Sequence, residues 1–160
     1  MLILVHIILL GKGEIIMENI FDVAKYFLLL GQMNHKKLQK LCYYAQAWSL
    51  ALTDAHLMDT WFEAWAHGPV SPELWRKYKD WGGLPISSYE GVPTFNNNQT
   101  QSFLDKIYRL YGHYSGDQLE QLTHNEAPWI NAREGYSAGA ICTNTISESD
   151  MASFYRTLLY

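Results

Sequence analysis

The sequence predicts a mainly α fold, a single compact helical domain with a small β element whose short strands fall near residues 61–66 and 92–95. Three observations carry this. Apolar residues recur three and four apart in several segments, the spacing that lines one face of a helix. Capping residues stand just ahead of those segments. The run Trp61-Phe-Glu-Ala-Trp-Ala66 is too short for an independent helix and is rich in strand-forming aromatics. At 160 residues the chain can bury one proper core, and 48% hydrophobic with 18% charged residues fits a folded domain.

The first helix follows from Ile20, Phe21, Ala24, Phe27 and Leu28, and Gly31 ends it. Asn34 then caps a second helix, its side chain accepting from an unpaired first-turn N–H. Leu38, Leu41, Ala45, Trp48 and Leu52 form the core stripe of that helix, while Lys36, Lys40, Tyr43 and Ala47 share a different face. Gly68-Pro69 forces a corner after the aromatic strand. Ser71-Pro72-Glu73 opens the next helix, with Leu74, Trp75, Tyr78 and Trp81 as its apolar side and Gly82-Gly83 as its stop. Further helices carry Phe103, Leu104, Ile107 and Leu110, then Leu119 and Leu122 behind a Ser115/Gln118 capping box. Pro128 starts a short helix, and Ser147 with Asp150 caps the last one. No repeat, low-complexity tract or linker interrupts the chain.

Residues 2–10 are nearly all apolar but too few for a membrane span, which takes roughly 20 residues. They also lack a secretory signal's basic start and cleavage site. A buried edge strand or a weak surface anchor are two readings. A third is that residues 1–16 are an upstream extension and the native start is Met17, because Lys12-Gly13-Glu14 fits a purine-rich ribosome-binding stretch.

Charge and motif content narrow the function. A formal charge of −4 with only 12 basic residues argues against nucleic acid as a partner. Lys36, Lys37, Lys40, Tyr43 and Tyr44 read better as a solvated helix face. The two cysteines form no disulfide framework, and Cys42 in an apolar register reads as a buried free thiol in a reducing, cytoplasmic setting. The six histidines are scattered, with no His-Glu-x-x-His and no Cys-x-x-Cys, so no metal or cofactor is expected. No nucleophile elbow or phosphate-binding loop is visible, and nothing positive supports an enzyme.

Several spaced motifs, taken in order, resemble the SocA-like antitoxin family, also called the Panacea domain and related to phage-associated GepA proteins. They are Lys37 to Gln46 (Lys-Leu-Gln-Lys-Leu-Cys-Tyr-Tyr-Ala-Gln), Glu63 to Val70 (Glu-Ala-Trp-Ala-His-Gly-Pro-Val), and Thr123 to Trp129 (Thr-His-Asn-Glu-Ala-Pro-Trp). The resemblance runs from Met17 to the C-terminus. It implies a prokaryotic antitoxin without chemistry of its own, whose partner is a toxin encoded by a neighbouring gene. One branch of the family resembles an adaptor that hands its toxin to an ATP-dependent protease. A phage or mobile-element accessory protein that binds a host factor is the alternative.

The candidate partner-binding residues are Lys40, Tyr43, Tyr44 and Gln46 on the second helix. Trp65, His67, Gly68 and Pro69 at the corner, with His124, Glu126 and Trp129, shape or line the same region. About half of such a set are packing residues in a typical fold, because aromatic stripes usually are. An enzyme using His67, His124 and Glu126 as acid–base groups is the competing class, and it requires those side chains to meet in one open pocket.

Overall fold

A computed structural model describes residues 16–159. The readings made for residues 1–15 lie outside the described residues. Seven helices run in the order α1 (Ile20–Leu30), α2 (His35–Thr53), α3 (Pro72–Tyr78), α4 (Thr100–Tyr111), α5 (Gly116–His124), α6 (Ala127–Ala132) and α7 (Glu148–Thr157). Strands β1 (Glu63–Trp65) and β2 (Gly68–Val70) form an antiparallel hairpin between α2 and α3.

Local chemistry sets the helix starts. Asn34 Oδ1 accepts from Lys37 N at 3.0 Å, and Ser147 Oγ accepts from Asp150 N at 3.2 Å. Ser115 and Gln118 form the full reciprocal box. At α3 the expected cap is absent, because the Ser71 side chain instead meets Thr60 Oγ1 at 3.0 Å. Pro72 at the first turn still needs no N–H partner, so the helix begins there regardless. Glu18 is a distant cap for α4. Its buried carboxylate accepts from Asn96 N, Asn97 N and Thr100 Oγ1 at 2.8, 2.9 and 2.8 Å.

α2 is the axis of the domain. Every residue from Leu38 to Ala51 is buried, so the helix is enclosed on all faces rather than along one stripe. α1, α3, α4, α5, α7 and the hairpin pack around it, α7 most extensively, while α6 packs on α5 and α7. Lys40, Tyr43 and Tyr44, expected on a solvated face, are therefore interior. Of the three lysines on α2, Lys36 and Lys37, in the first turn, reach the half-buried margin.

The β element differs from the expectation in two places. The Gly68-Pro69 corner is itself a strand, paired with β1 in the register Glu63 to Val70, Ala64 to Pro69 and Trp65 to Gly68. Ala66 and His67 make the two-residue turn. Proline is tolerated because β2 is an edge strand. Residues 92–95 form no strand. Pro93 removes a ladder donor there, and Phe95 packs edge-on against Tyr26 with ring centroids 5.7 Å apart. On its other side β1 meets the segment ahead of α7 at a single antiparallel bridge, Glu63 to Thr145.

Candidate functional site

The polar side chains of α2 act as latches. Gln39 clasps Ser71 with both amide ends: Nε2 donates to the Ser71 carbonyl at 3.0 Å, and Oε1 accepts from Ser71 N at 2.9 Å. Gln46 does the same for the loop after α2, accepting from Leu57 N and Met58 N and donating to the Met58 carbonyl. A buried amide that replaces a missing sheet partner satisfies backbone groups that would otherwise be costly to bury.

Lys40 runs its aliphatic stem beneath the hairpin and donates to the Pro69 carbonyl at 3.2 Å. Burial pulls its ammonium down to about 7, with the carboxylate of Glu120 opposing that shift. Gly68, directly above, has φ +98°, and a β-carbon there would lie 2.4 Å from Lys40 Cε. Both backbone and space demand glycine at this position.

A second cluster lies in the interior. Glu126 accepts from the Tyr44 hydroxyl at 3.2 Å and from the Tyr155 hydroxyl. Tyr44 stacks on Tyr111 with centroids 3.8 Å apart, and Tyr111 OH accepts from Trp48 Nε1 at 2.8 Å. The Tyr155 and Tyr43 hydroxyls are 3.4 Å apart. Burial pushes the Glu126 carboxyl up to about 7, although the two phenols favour its ionised form. This cage joins α2, α4, α6 and α7.

A third group lies nearer the surface, where Glu120 is a hub. It pairs with Lys36 and accepts from His67 Nδ1 at 3.0 Å, while His124 Nε2 is 4.0 Å away. Burial opposes its ionisation, but the bonds from Lys36 and His67 outweigh that and hold its carboxyl below the usual range. Burial lowers His124, which stacks on Trp129 at 4.0 Å. Trp129 Nε1 in turn donates to the Trp65 carbonyl at 2.9 Å. Arg133 secures the same strand by donating to the Ala64 carbonyl at 2.7 Å.

Beside these clusters opens a groove of about 730 Å³, walled by the start of α2, the β1–β2 turn, Trp75, Gly82-Gly83 and residues 141–143. Its lining is mainly apolar, with Trp65 and Trp75 meeting edge to face at 5.4 Å. The indoles of Trp61, just ahead of β1, and Trp65 both donate to Glu63, at 3.1 and 2.7 Å, so the three side chains meet on one side of the chain. Trp61 is 47% exposed and Ile141 90% exposed. Trp65 and Ile141 line the groove itself, and Trp61 is tied to Trp65 through Glu63.

The sequence-predicted residues therefore divide. Lys40, Trp65 and His67 line the groove. Gly68 and Pro69 are buried in β2 and fix its geometry. Tyr43, Tyr44 and Gln46 are fully interior and cannot touch a docked partner while the domain is folded, so their part is to hold the framework. Glu126 lies inside the tyrosine cage, and Trp129 is 8% exposed behind Trp65. His67 is exposed, His124 and Glu126 are half-buried, and of the three only His67 lines the groove. Among the described residues no set of three or more His, Cys, Asp or Glu side chains is placed to hold a metal ion. The residues missed in the sequence are Glu120, Ile141 and Thr143. For the last two, the alternation of β-branched residues at 141, 143 and 145 was a usable signal.

A helical domain built around one enclosed helix, with an apolar face and groove on its surface, has the makings of a protein-binding module. Residues 38–130 match the family described as antitoxin SocA-like, Panacea domain, and the chain belongs to that family. The match runs from α2 to α6, a narrower span than the motifs implied. No curated protein and no solved structure gives a significant match.

Proposed function

We propose that this protein is the antitoxin of a toxin–antitoxin pair and neutralises its toxin by binding it directly, without chemistry of its own. The observation that carries this is the exposed face formed by Trp61, Trp65 and Ile141 beside an open, apolar groove. Contiguous apolar surface of this kind marks interaction sites, and tryptophan is favoured where a few residues dominate binding energy. The family's description as antitoxin SocA-like supports the same reading. The clusters beneath the surface supply rigidity: an interface that is already formed loses less entropy on binding.

The partner is a toxin protein encoded by a neighbouring gene, and the setting is the cytoplasm. Cys42 and Cys142, both buried and unpaired, fit a reducing compartment. Among the described residues no helix is long and apolar enough to cross a membrane. The test is growth of cells that express the neighbouring reading frame, with and without this chain. Arrest that the chain relieves, with co-purification of the two proteins, is the expected result. Absence of arrest, or arrest that persists beside folded protein, would overturn the proposal.

A further inference from the structure

Residues 144–146 run alongside β1 through one antiparallel bridge, Glu63 to Thr145, and the outer edge of this segment is open. Ala64 N donates to the Asn144 carbonyl at 2.9 Å, and Ile146 N donates to the Phe62 carbonyl at 2.8 Å. Along a strand, successive residues turn their backbone groups to opposite edges. Residues 144 and 146 face β1, so the N–H and C=O groups of Thr143 and Thr145 point the other way. None of those four groups has a hydrogen-bond partner among the described residues.

The side chains follow the same period of two. Cys142 and Ile146 are buried, and Asn144 Nδ2 donates inward to the Ala132 carbonyl at 3.0 Å. Ile141, Thr143 and Thr145 point out, all β-branched and all exposed. Sheet edges are normally blunted by lysine, proline or a bulge, because an open edge is a template for another strand. The stretch from Tyr136 to Ser147 contains no charged residue and no proline. This edge also lies outside the span matched by the family.

Resting on the antitoxin reading above, we propose that residues 141–145 are the docking edge for an extended segment of the toxin. The segment adds to the sheet as a further strand and lays alternate side chains into the adjoining groove. Main-chain bonds then supply affinity, and the groove supplies selection. Charge defines the occupant further. Lys36 on the groove wall is neutralised by Asp117 and Glu120, but Lys79, 5.0 Å above the Trp75 ring, has no carboxylate partner among the described residues. The docking segment is therefore apolar, with a carboxylate that reaches Lys79 beside the groove-lining Trp75. A second copy of this chain is the poorer occupant, since its own 141–145 edge offers no acid to Lys79.

The test is residue-resolved amide hydrogen exchange on the full chain, alone and with the purified product of the neighbouring toxin gene. Exchange at Thr143 and Thr145 slows by roughly tenfold or more in the complex, as for newly hydrogen-bonded amides. Thr143→Pro and Thr145→Pro, which remove those donors, weaken binding, whereas Thr143→Ala and Thr145→Ala, which keep them, do not. A complex that forms without protection at these amides overturns the docking edge and leaves neutralisation standing. Absence of any complex overturns both. Protection that appears without toxin and grows with protein concentration assigns the edge to a second copy and also overturns the proposal.

Discussion

Lys40 Cε lies 2.4 Å from where a β-carbon on Gly68 would stand, so the central helix and the tip of the hairpin are fitted at van der Waals limits. The same lysine donates to the Pro69 carbonyl one residue on. The hairpin that carries Trp65 and His67 is thus positioned from beneath by α2, and its exposed face is held still without using any exposed residue to do so.

Gly68→Ala tests that fit. The variant adds both a strained left-handed backbone and a clash with Lys40, and we expect a loss of about 2–3 kcal/mol in urea unfolding. In a Lys40→Ala background the added cost of Gly68→Ala falls, because the Lys40 clash goes while the backbone strain and the Thr123 hydroxyl, 2.9 Å away, remain. Equal costs in the two backgrounds would contradict the contact.

Glu126 and Lys40 give stability opposite pH dependences. The folded Glu126 pKa is raised to about 7 from an ordinary 4.5, so its contribution is full below 4.5 and is lost as pH rises through 7. Lys40 is lowered to about 7 from 10.5, so its contribution is full above 10.5 and is lost as pH falls through 7. Thermal unfolding across pH 4.5–10.5 checks both. Wild type minus Glu126→Gln falls between pH 4.5 and 7, and wild type minus Lys40→Met rises between 7 and 10.5.

Tyr155→Phe deletes a hydroxyl that donates to Glu126 and leaves the cage otherwise filled. The expected loss is about 1–3 kcal/mol, the range for leaving a buried carboxyl with one donor fewer. With a donor to its ionised form gone, the Glu126 carboxyl titrates at higher pH, and carboxyl NMR shifts read that directly. A lower titration point would contradict the cage.

Trp61→Ala and Ile141→Asp change only exposed positions. We expect stability within about 0.5 kcal/mol of wild type and toxin binding weakened by roughly tenfold or more. Tyr43→Ala does the reverse through folding, costing about 3–5 kcal/mol as an emptied core position. Calorimetric titration alongside thermal unfolding separates the two behaviours.

The helix plan was legible because it rests on local chemistry. The Asn34 cap, the Ser115/Gln118 box and the Leu38, Leu41, Ala45, Trp48 stripe are all written within a few residues of where they act. What sequence could not show is that the opposite face of α2 is covered too. Gln39, Lys40 and Gln46 look solvated on a helix wheel, and only the distant backbone of residues 57, 58, 69 and 71 explains their burial. Glu120 was missed for the same reason, since its partners Lys36 and His67 are 84 and 53 residues away. The corner motif was seen but its pairing was not: Gly68-Pro69 reads as a turn until Trp65 is found opposite Gly68.

The account rests on direct binding of a toxin through the Trp61, Trp65 and Ile141 face. The decisive measurement is the affinity of purified toxin, the product of the neighbouring gene, for the wild-type chain and for folded Trp61→Ala and Ile141→Asp. The account predicts a defined complex with wild type and roughly tenfold or weaker binding by each variant. No complex with wild type, or equal affinity for all three proteins, would contradict it.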